Sequence, residues 1–248
     1  MIPKIIHYCW FGRGQMPELA LRCIESWKHY LPDYELRLWN EDTFDLDMYQ
    51  YAREAYDNRK FAFVTDVVRL WALNEYGGIY MDTDVEVLRS LDDLLELPAF
   101  TGYEASMSNA PVTGIMASEA HGIWVREQLA YYEGRHFLKP DGTLDMTTNT
   151  QTISRIMQEN GFIIDGKYGI YKDNMHIFPV DWFCPLTSTR VLKLTKNTRC
   201  IHHFAGSWRE RTRKDILKDF VADEVLGRKL TNLLVSLKRK LVGLFRHP

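Results

Sequence analysis

Asp82 and Asp84, separated by Thr83, are the residues of this sequence whose types and spacing speak first of chemistry. In an extended chain the side chains i and i+2 share a face, so both carboxylates turn toward one cleft. Paired carboxylate oxygens make a hard anionic site that suits magnesium or manganese. Such ions keep coordination places for water and for the oxygens of a diphosphate. A bare D-x-D is also a common surface turn, so its surroundings must decide. Here the pair follows an apolar helical stretch from Phe61 to Tyr76, a Gly77-Gly78 stop and the short apolar strand Ile79 to Met81, and Glu86 comes two residues later.

Asp66 and Arg69 lie three apart on that apolar stretch and share a helical face. A charge pair on a buried helix is satisfied either by itself, as a structural salt bridge, or by a ligand. Trp10 ends the first apolar run, just before a glycine loop, and is either a core residue or an aromatic plate for a nucleobase. Late in the chain, His202-His203-Phe204-Ala205-Gly206-Ser207-Trp208 brings imidazoles, common metal ligands, next to an aromatic residue. Strand alternation lets one of the two histidines face inward.

The elements that must hold these groups are legible in outline. Lys4 to Trp10 reads as a buried strand, Pro17 opens a helix running to about Tyr30, and Tyr34 to Trp39 alternates as a second strand, with Asn40 placed to cap the next element. After Asp84, Val85 to Leu88 continues extended. Ala99 to Tyr103, Val112 to Ala117 and Cys200 to Phe204 read as strands, and Gly122 to Tyr132 and Thr148 to Asn160 as helices. This alternation predicts an α/β fold with a mainly parallel central sheet flanked by helices, whose ligands lie at the carboxyl ends of the strands. Residues 161–199 carry mixed turn signals and no clear period.

Composition sets the outer bounds. A chain of 248 residues with 46% hydrophobic and 26% charged residues is ordinary for a globular enzyme domain. After Glu224 come Arg228, Lys229, Lys238, Arg239, Lys240 and Arg246 with no acid, so the positive charge gathers in the tail and leaves an acidic body, which argues against a nucleic-acid grip. Leu226, Leu230, Leu233, Leu234, Leu237, Leu241, Leu244 and Phe245 recur there at helical spacing. The expected division is therefore a catalytic domain over 1–225 and a basic amphipathic helix over 226–248 that lies on an anionic membrane surface. Four cysteines without C-x-x-C spacing, and no apolar run of spanning length, predict a cytoplasmic protein held peripherally at the inner membrane.

Three blocks, IPKIIHYCWFG, FVTDVVRLWALNEYGGIYMDTDVEVL and IHHFAGSW, together resemble glycosyltransferase family 32. This is the DXD sugar-transferase family of bacterial capsule and lipopolysaccharide enzymes, with the yeast initiating mannosyltransferase and clostridial glucosylating toxins as relatives. The resemblance runs over residues 1–208. It implies a GT-A type nucleotide-diphospho-sugar transferase fold, Mn2+ or Mg2+, and transfer of a hexose or N-acetylhexosamine with retention. The donor is expected to be a UDP-sugar, and the acceptor a glycan or lipid-linked oligosaccharide in surface polysaccharide synthesis. By the same resemblance Trp10 stacks on the base, Asp66 and Arg69 hold the donor sugar, and Asp82 and Asp84 form the D-x-D. His203 is the late metal ligand, and Ser207 and Trp208 close over the diphosphate. His202 has no counterpart and reads as structural. No residue is marked as a nucleophile, although Glu104 and Asp145 are conceivable, and attack on the same face as the departing phosphate needs none.

Two rival readings remain open on sequence alone. A haloacid-dehalogenase-like magnesium phosphatase also places D-x-D after an apolar strand, but wants Thr or Val where Glu86 stands. A non-catalytic sugar-nucleotide-binding scaffold would use the aspartates for calcium, for which the spacing of a calcium loop is missing.

Overall fold

The computed structural model describes residues 1–105, 110–112, 114–187 and 191–206. Strand β1 (Ile5–Cys9), helix α1 (Glu18–Tyr30) and strand β2 (Glu35–Trp39) open the chain as a βαβ unit, with β1 and β2 parallel. Pro17 stands at the N-cap of α1, where its missing N–H costs nothing. Asn40 caps a turn rather than a helix, its Oδ1 accepting the Asp42 N–H. Helix α2 (Gln50–Asp57), too short and polar to show in the hydrophobic period, precedes α3 (Phe61–Tyr76).

Helix α3 is apolar nearly all round because it lies against the sheet and beneath other helices. Val64, Val67, Val68 and Leu70 are inaccessible to solvent. It ends at Gly77, where φ is +62°, and Gly78 at +110° starts β3 (Gly78–Met81). A Cβ on Gly78 would sit 2.7 Å from the Ile5 carbonyl, so glycine lets β3 lie tightly beside β1. His7, fully buried in β1, secures this junction. Its Nε2 donates to the Gly77 carbonyl at 2.8 Å and its Nδ1 accepts the Trp39 indole N–H at 3.1 Å. Burial lowers its pKa from 6.5 to about 4, so the ring is neutral.

The chain continues through β4 (Val85–Val87), β5 (Ala99–Gly102), β6 (Ile115–Ser118), α4 (Ile123–Ala130) and α5 (Asn149–Glu159). It then forms β7 (Gly169–Tyr171), β8 (Met175–Phe178), α6 (Val180–Phe183) and β9 (Cys200–His202). The seven-stranded sheet has the order β2-β1-β3-β6-β5-β8-β7, and β4 and β9 form a separate antiparallel ribbon. Five of the seven strands point one way, while β6 and β7 are reversed. The expected mainly parallel sheet flanked by helices is thus present. The β7–β8 hairpin and α6 fall in the stretch where the sequence showed no period, their strands being only three and four residues long.

Apolar cores fill both sheet faces. Tyr80 and Met116 point to the side of α3, with Phe63 and Val67, whereas Ile79, Met81 and Phe100 point to the side of α1 and the ribbon, with Trp27 and Val85. The tail helix expected over 226–248 lies outside the described residues, as do Ser207 and Trp208. Among the described residues no helix is long and apolar enough to cross a membrane. All four cysteines are buried and free.

Candidate active site

Strand β3 delivers Asp82 at its carboxyl end, but the two aspartates do not converge by strand alternation. The Val85 N–H bonds back to the Asp82 carbonyl at 3.0 Å, closing a tight turn between β3 and β4. That turn folds Asp84 over beside Asp82. The Asp82 N–H is meanwhile held by the Gly114 carbonyl at 2.7 Å. A Cβ on Gly114 would stand 3.0 Å from Asp82 Oδ2, so the absent side chain leaves the carboxylate its room.

The ribbon adds a histidine. Antiparallel pairing sets His202 opposite Val85, and the His202 ring joins Asp82 and Asp84 in a group whose ligand atoms all lie within 4.8 Å of one another. His202 Nε2 is 3.5 Å from Asp84 Oδ1, and the Ala205 N–H donates to Asp84 Oδ2 at 2.7 Å. Burial pushes the Asp84 carboxyl up, yet the His202 charge and these hydrogen bonds outweigh it and hold the pKa at about 2. Burial likewise pulls His202 down, and Asp84 more than reverses it. Two carboxylates and an imidazole are a donor set that fits a divalent ion of the manganese or magnesium kind.

His203, expected to face this group, lies outside it. Its Nε2 lies 2.7 Å from Glu86 Oε2, and its N–H donates to the Asp84 carbonyl at 2.9 Å. Alternation on β9 sends the two rings to opposite sides, and the register with β4 chooses His202 for the carboxylates. His203 instead fastens the ribbon.

Asp66 and Arg69 reach the same place from α3. Arg69 Nη2 lies 3.4 Å from Asp66 Oδ1 and 3.3 Å from Asp82 Oδ1. Its Nε donates to the Thr65 carbonyl and its guanidinium stacks over the Tyr80 ring, whose hydroxyl donates to Asp82 Oδ1 at 2.9 Å. Burial raises the Asp66 pKa to about 6, with Asp82 adding to the rise and Arg69 and the Asn149 N–H opposing it. That N–H, at the start of α5, donates to Asp66 Oδ2 at 3.2 Å. The expected pair is therefore the middle of a chain running from Asn149 through Asp66 and Arg69 to Asp82.

Trp10 follows the end of β1, the parallel neighbour of β3, and is part-buried with its indole N–H on the Gly14 carbonyl at 2.6 Å. Asp145 is buried, with its Oδ1 accepting the Thr147 N–H. Sequence reasoning missed Tyr80, Asn149 and His202. Tyr80 shares a face with Asp82 by alternation, and the capping box at Thr148 and Gln151 marks where α5 begins though not where it points. Nothing in the sequence selects His202 over His203.

The chain is also similar to known proteins. Residues 17–101 match the family described as glycosyltransferase sugar-binding region containing DXD motif. The inositol phosphoceramide mannosyltransferase 3 of Schizosaccharomyces pombe is 39% identical over 103 residues, covering 40% of this chain and 29% of that protein. The mannosyl phosphorylinositol ceramide synthase CSH1 of Saccharomyces cerevisiae is 34% identical over 104 residues, covering 40% of this chain and 27% of that one. The matches thus span less than a third of the length of either relative. Among solved structures, a glycosyltransferase involved in the glycosylation of the major capsid of PBCV-1 aligns with 88% of this chain and all of its own, at 13% identity and a TM-score of 0.47. The PaToxG glycosyltransferase aligns with 64% of this chain and 69% of its own, at 16% identity and a TM-score of 0.46.

An α/β sheet with D-x-D at a central strand end, met by a late histidine, agrees with the GT-A type fold that the resemblance implies. Over residues 17–101 the chain is similar to the sugar-binding region of the DXD-motif glycosyltransferases.

Proposed function

We propose that this chain is a metal-dependent, retaining glycosyltransferase that moves a hexose or N-acetylhexosamine from a nucleotide-diphosphate sugar to a glycan or lipid-linked acceptor. The observation that carries the reading is the meeting of Asp82, Asp84 and His202 at the end of β3, with Arg69 touching the Asp82 carboxylate and linking it to Asp66. A divalent ion bound there supplies charge neutralisation for the departing diphosphate. Asp82, Asp84 and His202 would hold it, and Arg69 fixes the Asp82 carboxylate in place. Asp66 and Arg69 present hydrogen-bonding groups to the sugar, and Trp10 offers its ring to the base. Catalysis then rests on positioning and electrostatics, with the acceptor hydroxyl attacking on the face the phosphate leaves and giving its proton to a phosphate oxygen.

The ion is Mn2+ or Mg2+, and the donor a UDP-sugar in the first instance. The names of the yeast relatives place mannose among the donors to be tried. We place the enzyme on the cytoplasmic face of the inner membrane in surface polysaccharide synthesis, with residues 226–248 as an anchoring helix, on the strength of their leucine spacing and basic charge. A screen of UDP- and GDP-linked hexoses and N-acetylhexosamines for hydrolysis tests the reading without an acceptor. Turnover of one donor with manganese, lost in chelator and in Asp84→Ala, is expected. Absence of turnover of every donor with both manganese and magnesium, from a protein with native circular dichroism, would refute it.

A further inference from the structure

The segments that follow β8 carry a second feature. β8 runs in the same direction as β3, so Val180, two residues past the end of β8, lies at the same sheet edge as Asp82. Val180 is exposed, and Trp182 beside it is half-buried. Next to α6 lies the segment Leu192-Lys193-Leu194-Thr195-Lys196, in which Leu194 is 56% exposed. Such exposure does not come from a loosely held chain. Thr195 Oγ1 and Asn197 Nδ2 donate to Asp181 Oδ2 at 2.7 and 3.3 Å, the Thr198 hydroxyl donates to the Asp181 carbonyl, and the Lys193 N–H donates to the Pro185 carbonyl. The fold thus holds two aliphatic side chains and part of an indole out toward water.

Their surroundings are basic. Lys193 and Lys196 are exposed and have no ion pair among the described residues, and Arg89 joins them by donating to the Lys196 carbonyl at 2.7 Å. Two acids of the adjoining segments are engaged: Asp93 pairs with Arg199, and Asp181 holds the loop. Exposed aliphatics beside lysine and arginine, with a half-buried indole, are the chemistry of an anionic lipid interface. A protein partner of ordinary size would meet a larger apolar patch. The loop also runs directly into β9, which carries His202.

We propose that residues 192–196, with Val180 and Trp182, form a lipid-contacting surface that seats the flank of the fold beside the ribbon on an anionic bilayer. This deepens the proposed function, on which it rests for its purpose, by giving the folded domain its own contact with the membrane that would hold the acceptor. It is separate from any contact made by the tail.

Because all four native cysteines are buried, Leu194→Cys in the full chain gives one accessible thiol among the described residues for an environment-sensitive fluorophore. The control is the same label on Ile163→Cys, a position 78% exposed. With phosphatidylglycerol vesicles the label at position 194 is expected to shift to the blue and brighten, while the control stays water-like and phosphatidylcholine vesicles leave both unchanged. Adding Lys193→Glu and Lys196→Glu should cut vesicle partition by about tenfold or more, since each lysine contributes to attraction at the surface. A label at 194 that stays water-like while the protein sediments with the vesicles would leave the tail as the contact and overturn the proposal. Absence of any sedimentation would overturn it too. Donor hydrolysis in vesicle-free solution, measured on the same labelled protein, reports separately on the glycosyltransferase reading and on folding.

Discussion

His202 and Asp84 face each other at 3.5 Å, Nε2 to Oδ1, across the turn that joins the main sheet to the two-stranded ribbon. The neighbouring His203 faces Glu86 instead, at 2.7 Å. These histidines, adjacent in sequence, thus belong to different machinery, and each has its own expected phenotype.

His202→Ala should lose manganese-dependent donor hydrolysis by about 100-fold or more, because one metal donor goes. His203→Ala should retain the metal requirement but melt earlier, since the ribbon loses a part-buried hydrogen bond worth about 1 to 2 kcal/mol. Hydrolysis rates against manganese concentration, set beside melting curves, separate the two. The reverse pattern would return the ligand role to His203.

Asp66 and Arg69 divide similarly. Arg69 touches Asp82 as well as Asp66, whereas Asp66 is one step removed from the D-x-D. Asp66→Ala should therefore raise the KM for the sugar donor while sparing the affinity for free nucleoside diphosphate and manganese. Arg69→Ala should weaken both, by roughly tenfold for the diphosphate, the scale of effect seen when a residue orienting a metal ligand is lost. Calorimetric titration with nucleoside diphosphate and manganese decides it, and equal losses in both variants would count against a sugar-facing role for Asp66.

Gly114→Ala places a methyl 3.0 Å from Asp82 Oδ2 and from Val85 Cγ2. The carboxylate must give way, so manganese affinity should fall by about tenfold while the sheet remains paired. Metal titration together with circular dichroism checks this outcome. Unchanged affinity would show that Asp82 has slack.

The junction at His7 predicts a dependence on pH. Its pKa is about 4 in the fold against 6.5 when free, so the unfolded chain binds a proton that the folded chain refuses. His7's contribution is intact above pH 6.5 and is lost as the pH falls toward 4, by roughly 3 kcal/mol at full extent. Asp66 works in the opposite sense, because its pKa is raised from 3.8 to about 6 and its carboxyl disfavours the fold as pH rises through that window. Comparison of wild type with His7→Gln isolates the histidine's share: the variant's melting temperature should fall less steeply between pH 6.5 and 4. Parallel curves would sink the assignment.

Much of this was legible in advance. Helix α3 was readable to its end residues, because an apolar face wider than a stripe and a Gly-Gly stop leave little choice. The D-x-D and its strand were equally plain. Three features were hidden for physical reasons. The turn at Asp82–Val85 depends on a backbone hydrogen bond that no side chain advertises. The choice of His202 depends on β9 pairing with β4 in one register out of two possible faces, which is a tertiary fact. The Asn149 contact comes from a helix whose cap can be read but whose direction cannot.

The separate ribbon bears on how the protein can be divided. The stretch matched by the family model ends at residue 101, yet β4 inside it pairs, among the described residues, with β9 at Cys200–His202. β3 likewise borders β6, which lies beyond residue 101. A fragment ending there would hold both aspartates but would lack the imidazole, and it would present two raw strand edges to its neighbours. The recognisable block is thus not a transplantable module. Fusions or minimal versions of the protein must carry the chain through at least residue 205, whose N–H closes the loop onto Asp84.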